Sequence, residues 1–191
     1  MSRRRCDEYK APGALPIPRI AIAESGSILV MKRTDTASRV VKAPLSRVFE
    51  ALVDPEALVE WLPPSGMTGR FEHFDARPGG SYRLILRYST PPAQGGKSDA
   101  GSDVVEGHFV EIEPDDRVVH AVDFGSADAA FGGTMTMTWT VTRVDGGTRV
   151  ELRADDVPVG ISAADHADGM NSSLENLAAY LDRRQTVFRA E

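Results

Sequence analysis

Histidine titrates near neutral pH, so His73, His108, His120 and His166 are the first residues to ask about chemistry. His108 and His120 lie in two β-prone runs, residues 104–112 and 118–124, around Glu113-Pro114-Asp115-Asp116, a good turn sequence. If Ile112 pairs opposite Val118, alternation gathers Glu106, His108, Val110, His120, Val122 and Phe124 on one sheet face. Two imidazoles and a carboxylate together form a candidate acid–base site. The opposite face then holds Val105, Gly107, Phe109, Val119, Ala121 and Asp123, and alternation leaves open which face looks inward. A hydrogen-bonded structural role is the commoner fate of such histidines, so no residue is assigned a catalytic part.

Other chemistry is sparse. His73 stands near Asp75, whose simplest use is to hold a turn. Arg83 and Arg87 share a strand face that could take an anion or stay solvated. Tyr82 and Tyr88, on the other face, could offer hydroxyls to a ligand. No histidine pair has metal-site spacing, so no metal and no other cofactor is expected. The doublets Gly79-Gly80, Gly95-Gly96, Gly132-Gly133 and Gly146-Gly147 read as turns, because none is followed by both a Lys-Ser/Thr and a helix, as a phosphate loop requires. There is no Gly-x-Ser-x-Gly, and Cys6 has no organised base beside it.

These candidates sit in 191 residues of formal net charge −6, 41% hydrophobic and 26% charged. That balance supports a packed core and excludes a disordered chain. A single cysteine excludes an internal disulfide framework and a multi-cysteine zinc site. Residues 1–35 carry seven Lys/Arg against four Asp/Glu, whereas residues 36–191 carry 15 against 24, a net of −9. An acidic body repels phosphate backbones, so no nucleic-acid partner is expected. The apolar stretch near Ile20 is broken by Arg19, Glu24, Lys32 and Arg33, short of the about 20 apolar residues a spanning helix needs. No continuous apolar run follows the arginines at 3–5, so the expectation is a cytoplasmic protein without membrane insertion.

Residues 1–35 read as an extension, irregular through Pro12, Gly13, Pro16 and Pro18. Two β-prone runs within 20–31 then suggest a hairpin that could pair at a sheet edge and make a homodimer. One domain is expected over 36–191. A short strand at 38–43 stops at Pro44; Val48, Phe49 and Leu52 then recur at helical spacing. Asp54-Pro55 supplies an N-cap and a first-turn proline for a second short helix carrying Leu58, Trp61 and Leu62. Sheet texture follows at 71–74, along Tyr82, Leu84, Leu86 and Tyr88, and at 104–112, 118–124, 134–142 and 148–154, with an exposed loop at 91–102. Met135, Met137, Trp139 and Val141 share one face. Met170, Leu174, Leu177 and Leu181 repeat at four, three and four residues, the stripe of a long amphipathic helix. The order predicts an α+β domain: a strand, two short helices, about six more antiparallel strands, and a long C-terminal helix with the sheet curled around it.

This order and several local sequences resemble the START-like (SRPBCC) superfamily and, within it, the activator of heat-shock protein 90 ATPase homologue family. Val41-Lys42-Ala43-Pro44 with Val48-Phe49-Glu50-Ala51-Leu52 carries the resemblance, as does Asp54-Pro55-Glu56-Ala57-Leu58 with Trp61. So does Asp75-Ala76-Arg77-Pro78-Gly79-Gly80-Ser81-Tyr82. Gly107, Glu111-Ile112-Glu113-Pro114-Asp115-Asp116-Arg117-Val118, Gly147-Thr148-Arg149-Val150 and residues 169–181 extend it across residues 36–182. Phe49 and Met170 stand where family members commonly have tryptophan, and both keep the position apolar.

The resemblance implies a helix-grip fold, in which the C-terminal helix lies across a curved antiparallel sheet and encloses a largely apolar cavity. Inward strand faces and the helix stripe would line it. That nominates Trp61, Met67, Phe71, Tyr82, Leu84, Leu86, Met135, Met137, Trp139, Met170, Leu174 and Leu177 as ligand contacts, with Glu106, His108 and His120 as a candidate polar site. The same stripes would equally serve a solid core. Unbranched, polarisable methionines suit an adaptable wall.

Three functions are weighed on this basis. The first is a non-enzymatic binding protein for a small hydrophobic or amphipathic ligand. The second is a cyclase- or dehydratase-like enzyme on a polyketide-type substrate, which needs Glu106, His108, His120 or a tyrosine inside the cavity. The third is a chaperone-associated regulator of heat-shock protein 90 ATPase. It ranks last, because two-domain co-chaperones of the family carry a client-binding domain that residues 1–35 are too few to form.

Overall fold

A computed structural model describes residues 33–90, 102–124 and 130–188 of the chain. The hairpin expected within 20–31, residues 91–101 of the loop expected at 91–102, and Cys6 lie outside the described residues, while Ser102 itself already belongs to a strand. The elements run β1 (Arg33–Val41), α1 (Leu45–Val53), α2 (Pro55–Trp61), β2 (Met67–Phe74), β3 (Ser81–Tyr88), β4 (Ser102–Glu113), β5 (Arg117–Phe124), β6 (Gly133–Val144), β7 (Gly147–Val157) and α3 (Ala163–Phe188). All seven strands form one antiparallel sheet in the order β1-β7-β6-β5-β4-β3-β2. Together with the curved sheet, the two short helices after β1 and the long terminal helix make the α+β helix-grip fold.

Local sequence explains the helix ends. Asp54 Oδ1 accepts from the Glu56 backbone N–H at 3.0 Å, and Pro55 opens α2 where its missing N–H costs nothing. Ser162 caps α3 by accepting from the Asp165 N–H at 3.1 Å, while its hydroxyl donates back to Asp165 Oδ2 at 2.7 Å. Met170, Leu174, Leu177 and Leu181 are buried along α3, as its stripe requires. β1 starts at Arg33, ahead of the strand expected at 38–43, because Arg33 and Asp35 are tied to the far side of the fold. Arg33 Nη1 donates to the Ile161 carbonyl at 2.8 Å, and His166 Nδ1 donates to Asp35 Oδ2 at 2.7 Å.

Three register shifts break strict alternation: between Phe71 and His73 in β2, between Phe109 and Glu111 in β4, and opposite Arg33–Asp35 in β7. A bulge inserts one residue and reverses which side chains face inward on either side of it. In β2 it lets Phe71 and Phe74, three residues apart, pack on the same side with ring centroids 4.7 Å apart. Glu72, the inserted residue, pairs outside with Arg83 at 2.8 Å. The core fills the space between the sheet, α1, α2 and α3, with Val48, Val150 and Leu177 wholly enclosed.

Candidate functional site

Between the inner face of the sheet and the N-terminal half of α3 lies a cavity of about 320 Å³. Leu58, Trp61, Leu62 and Pro64 close one side, and Phe71 and Phe74 of β2 another. The middle strands contribute Tyr82, Leu84, Leu86, Val105, Phe109, Val118, His120 and Val122. Behind these stand Met135, Met137, Trp139 and Leu152. α3 lays His166, Gly169, Met170 and Ser173 across the top.

Most of the nominated apolar residues meet here: Trp61, Phe71, Tyr82, Leu84, Leu86, Met135, Met137, Trp139 and Met170. Met67, Leu174 and Leu177 are not in the lining. Leu174 and Leu177, 1% and 0% exposed, are packed solidly one to two turns further along α3. Met67 is only half-buried at the start of edge strand β2, opposite Tyr88.

The shared face of Glu106, His108 and His120 does not form. Ile112 does pair with Val118, but the bulge at Val110 shifts the register so that Phe109 faces His120 and Gly107 faces Val122. Alternation therefore turns His120 inward with Phe109 and sends His108 and Glu106 to the exposed face. Glu106 there pairs with Arg83. His73 is also exposed, 3.1 Å from Ser81 Oγ, and the Tyr88 hydroxyl donates to Asp103 at 2.9 Å outside the cavity lining. Among the described residues no cluster of three His, Cys, Asp or Glu could hold a metal ion.

His120 is held by Tyr82. The Tyr82 side chain leaves β3, crosses β4 over Gly107, and brings its hydroxyl within 2.7 Å of His120 Nδ1 on β5. The crossing requires glycine: a Cβ at Gly107 would lie 2.6 Å from the Tyr82 ring and 2.8 Å from the Ala121 carbonyl oxygen. Phe109 and Phe74 flank the pair, with ring centroids 5.6 and 6.4 Å from Tyr82 respectively and 5.5 Å from each other. Burial, reinforced by the nearby charge of His108, lowers the His120 imidazole to about 4. Burial, with the charge of Asp123, raises the Tyr82 phenol well above its ordinary value. Both groups are consequently neutral at pH 7.

A second polar point lies on α3. His166 lines the cavity and is anchored by Asp35, with side chains 12% and 16% exposed. Burial alone would raise the Asp35 carboxyl, but hydrogen bonds from His166 and Arg33 hold it below the usual range. Gly169 and Pro64 are exposed as well as cavity-lining, and they mark where the cavity meets solvent. A larger hollow of about 610 Å³ lies elsewhere, between α1, α2 and the C-terminal part of α3. Charged side chains border it, including Arg47 paired with Glu50 at 3.0 Å and Arg184 over the Tyr180 ring. It lacks the convergent aromatic wall of the smaller cavity.

Sequence reading missed Phe74, whose inward turn depends on the β2 bulge, and His166. The signal for His166 was present, since it lies one turn before Met170 on the α3 stripe.

The profile of the family described as "Activator of Hsp90 ATPase homolog 1-like protein" matches residues 42–182. The chain belongs to this family. A crystal structure of a protein from Chromobacterium violaceum is similar over 78% of this chain and 96% of that one, at 29% identity and a TM-score of 0.67. A Mesorhizobium loti protein follows at 20% identity and TM-score 0.63, covering 79% of this chain and 98% of its own. The AHSA1-like protein from Aeromonas hydrophila, solved by NMR, gives 17% identity and TM-score 0.63, over 80% and 94%. The last two establish shared fold alone. No protein of curated function matches significantly. The START-like helix-grip fold of this family is one of ligand-binding domains. No described helix is long and apolar enough to cross a membrane.

Proposed function

We propose that the protein binds a small hydrophobic or amphipathic ligand in the cavity between the sheet and α3, without transforming it. One observation carries this reading: a cavity of about 320 Å³ walled by aromatic and methionine side chains, in which a single neutral Tyr82–His120 pair supplies polar contact from the sheet. Native mass spectrometry and thermal unfolding across a panel of hydrophobes test it. A ligand at a hundred times its dissociation constant should raise the melting temperature by about 5–10 °C. A panel in which nothing binds and nothing shifts the transition would remove the reading.

Of the groups named for the enzymatic alternative, Tyr82 and His120 line the cavity, while His108 and Glu106 lie on the outer face. A cyclase- or dehydratase-like catalyst at neutral pH works best with groups that titrate near pH 7, and burial leaves His120 a weak base and Tyr82 a weak acid there. Recovery of a chemically changed polyketide-type compound after incubation would favour that alternative. Regulation of heat-shock protein 90 rests on the family description. Stimulation of the chaperone's ATPase by the purified protein would support it.

A further inference from the structure

We propose that the ligand is an uncharged molecule of about two fused rings that presents one oxygen acceptor, a carbonyl or hydroxyl, to the Nε2–H of His120. This rests on the binding role proposed above. Size comes from the volume: an apolar cavity of about 150 Å³ holds one benzene ring, and this cavity measures about 320 Å³. Polarity comes from the Tyr82–His120 contact. The Tyr82 hydroxyl is 6% exposed as a residue and has His120 Nδ1, at 2.7 Å, as its hydrogen-bond partner. A buried hydroxyl proton needs an acceptor, and an imidazole nitrogen accepts better than a phenol oxygen. Tyr82 thus donates to Nδ1 and fixes the ring proton on Nε2. Nε2 has no partner among the described residues, so a donor is left for whatever fills the cavity.

Charge comes from what the lining lacks. No lysine or arginine is among the cavity residues. The other histidine, His166, gives its Nδ1–H to the Asp35 carboxylate, whose negative charge sits directly behind that ring and opposes a second anion there. A carboxylate entering this wall would lose water without gaining a cation, whereas a ketone or alcohol loses little and gains the His120 bond. Tyr82 acts as a positioning residue, holding the tautomer through Nδ1, and Gly107 makes its crossing possible.

Calorimetric titration of the full chain with tetralin, tetralone and naphthoate separates the contributions. Tetralone should bind roughly tenfold more tightly than tetralin, the effect of one good hydrogen bond, and naphthoate more weakly than either. His120→Leu should erase the tetralone advantage while tetralin still binds. Tyr82→Phe should shift the His120 ring nitrogens, read by NMR, away from a single Nε2–H form. Equal binding of the three compounds, a preference for naphthoate, or a tetralone advantage that survives His120→Leu overturns the assignment yet leaves hydrophobe binding standing. Binding of none of them, nor of any wider panel member, overturns the binding role and this inference together.

Discussion

The two halves of α3 differ in what they leave open: the N-terminal half roofs a cavity against the sheet, whereas the hollow at the C-terminal half lies toward α1 and α2. Toward its C-terminus, Leu174 and Leu177 are packed against the sheet without space, while Tyr180 and Leu181, though buried, border the hollow shared with α1 and α2. Toward its N-terminus the corresponding turns present His166, Gly169 and Ser173, with Met170 the one large apolar side chain. Small and polar residues cannot reach the inner face of the sheet, so the strands opposite them border a cavity. The backbone is the same helix throughout; side-chain volume decides where it grips and where it roofs.

The largest expected effect lies in the solid half. Leu177→Ala removes a side chain with 0% exposure and should cost about 2–5 kcal/mol of unfolding free energy, measured by denaturant titration. Its effect on ligand affinity should be small, because Leu177 is outside the cavity lining. A loss below 1 kcal/mol would mean that this end of α3 also tolerates empty space, and the contrast between the halves would collapse.

A second prediction sets the roofed half apart by its pH response. The unfolded chain's imidazole takes up its proton near the ordinary value of 6.5, whereas folded His120 resists until about 4. Below pH 6.5 the unfolded state therefore binds more protons, and stability falls as pH drops. The contribution of His120 is roughly 1.4 kcal/mol per pH unit, approaching about 3 kcal/mol near pH 4, and is absent above pH 6.5. The difference in unfolding free energy between the wild type and His120→Leu, followed from pH 7.5 to 4.5, isolates it from the carboxylates. A difference that stays flat across this range would place His120 in water and dismiss the buried Tyr82 contact.

How much of this was legible follows the same division. The solid half was readable because Leu174, Leu177 and Leu181 continue the helical period that starts at Met170, and period survives into packing. The strand faces of β3 and β6 were readable for the same reason, since Tyr82, Leu84, Met135 and Trp139 alternate without interruption. The site's polar group was not. Ile112 opposite Val118 was the right starting pair, yet one inserted residue, Val110, turns His108 and His120 to opposite faces of the sheet. Nothing in the composition of residues 106–112 announces that insertion, because a bulge is set by how neighbouring strands pair. Gly107 gave an indirect hint. A glycine inside a strand marks a close approach, here the Tyr82 ring passing over it.

The smallest expected effect tests where the cavity opens. Gly169 sits inside α3, exposed, with nothing within 4 Å of an added Cβ. Alanine there gains helix propensity without a clash, and should stabilise the fold by about 0.5–1 kcal/mol, seen as a rise of about 1–4 °C in melting temperature. Its methyl group is too small to obstruct a ligand, so association rates should not change. Gly169→Leu keeps the propensity gain and adds bulk at the rim beside Ser173 and Pro64. Stopped-flow binding of a hydrophobe should then slow by several-fold, while the melting temperature without ligand stays at or above that of the wild type. If the leucine variant binds as fast as the alanine variant, ligand enters elsewhere, and the glycine serves no opening in the roof.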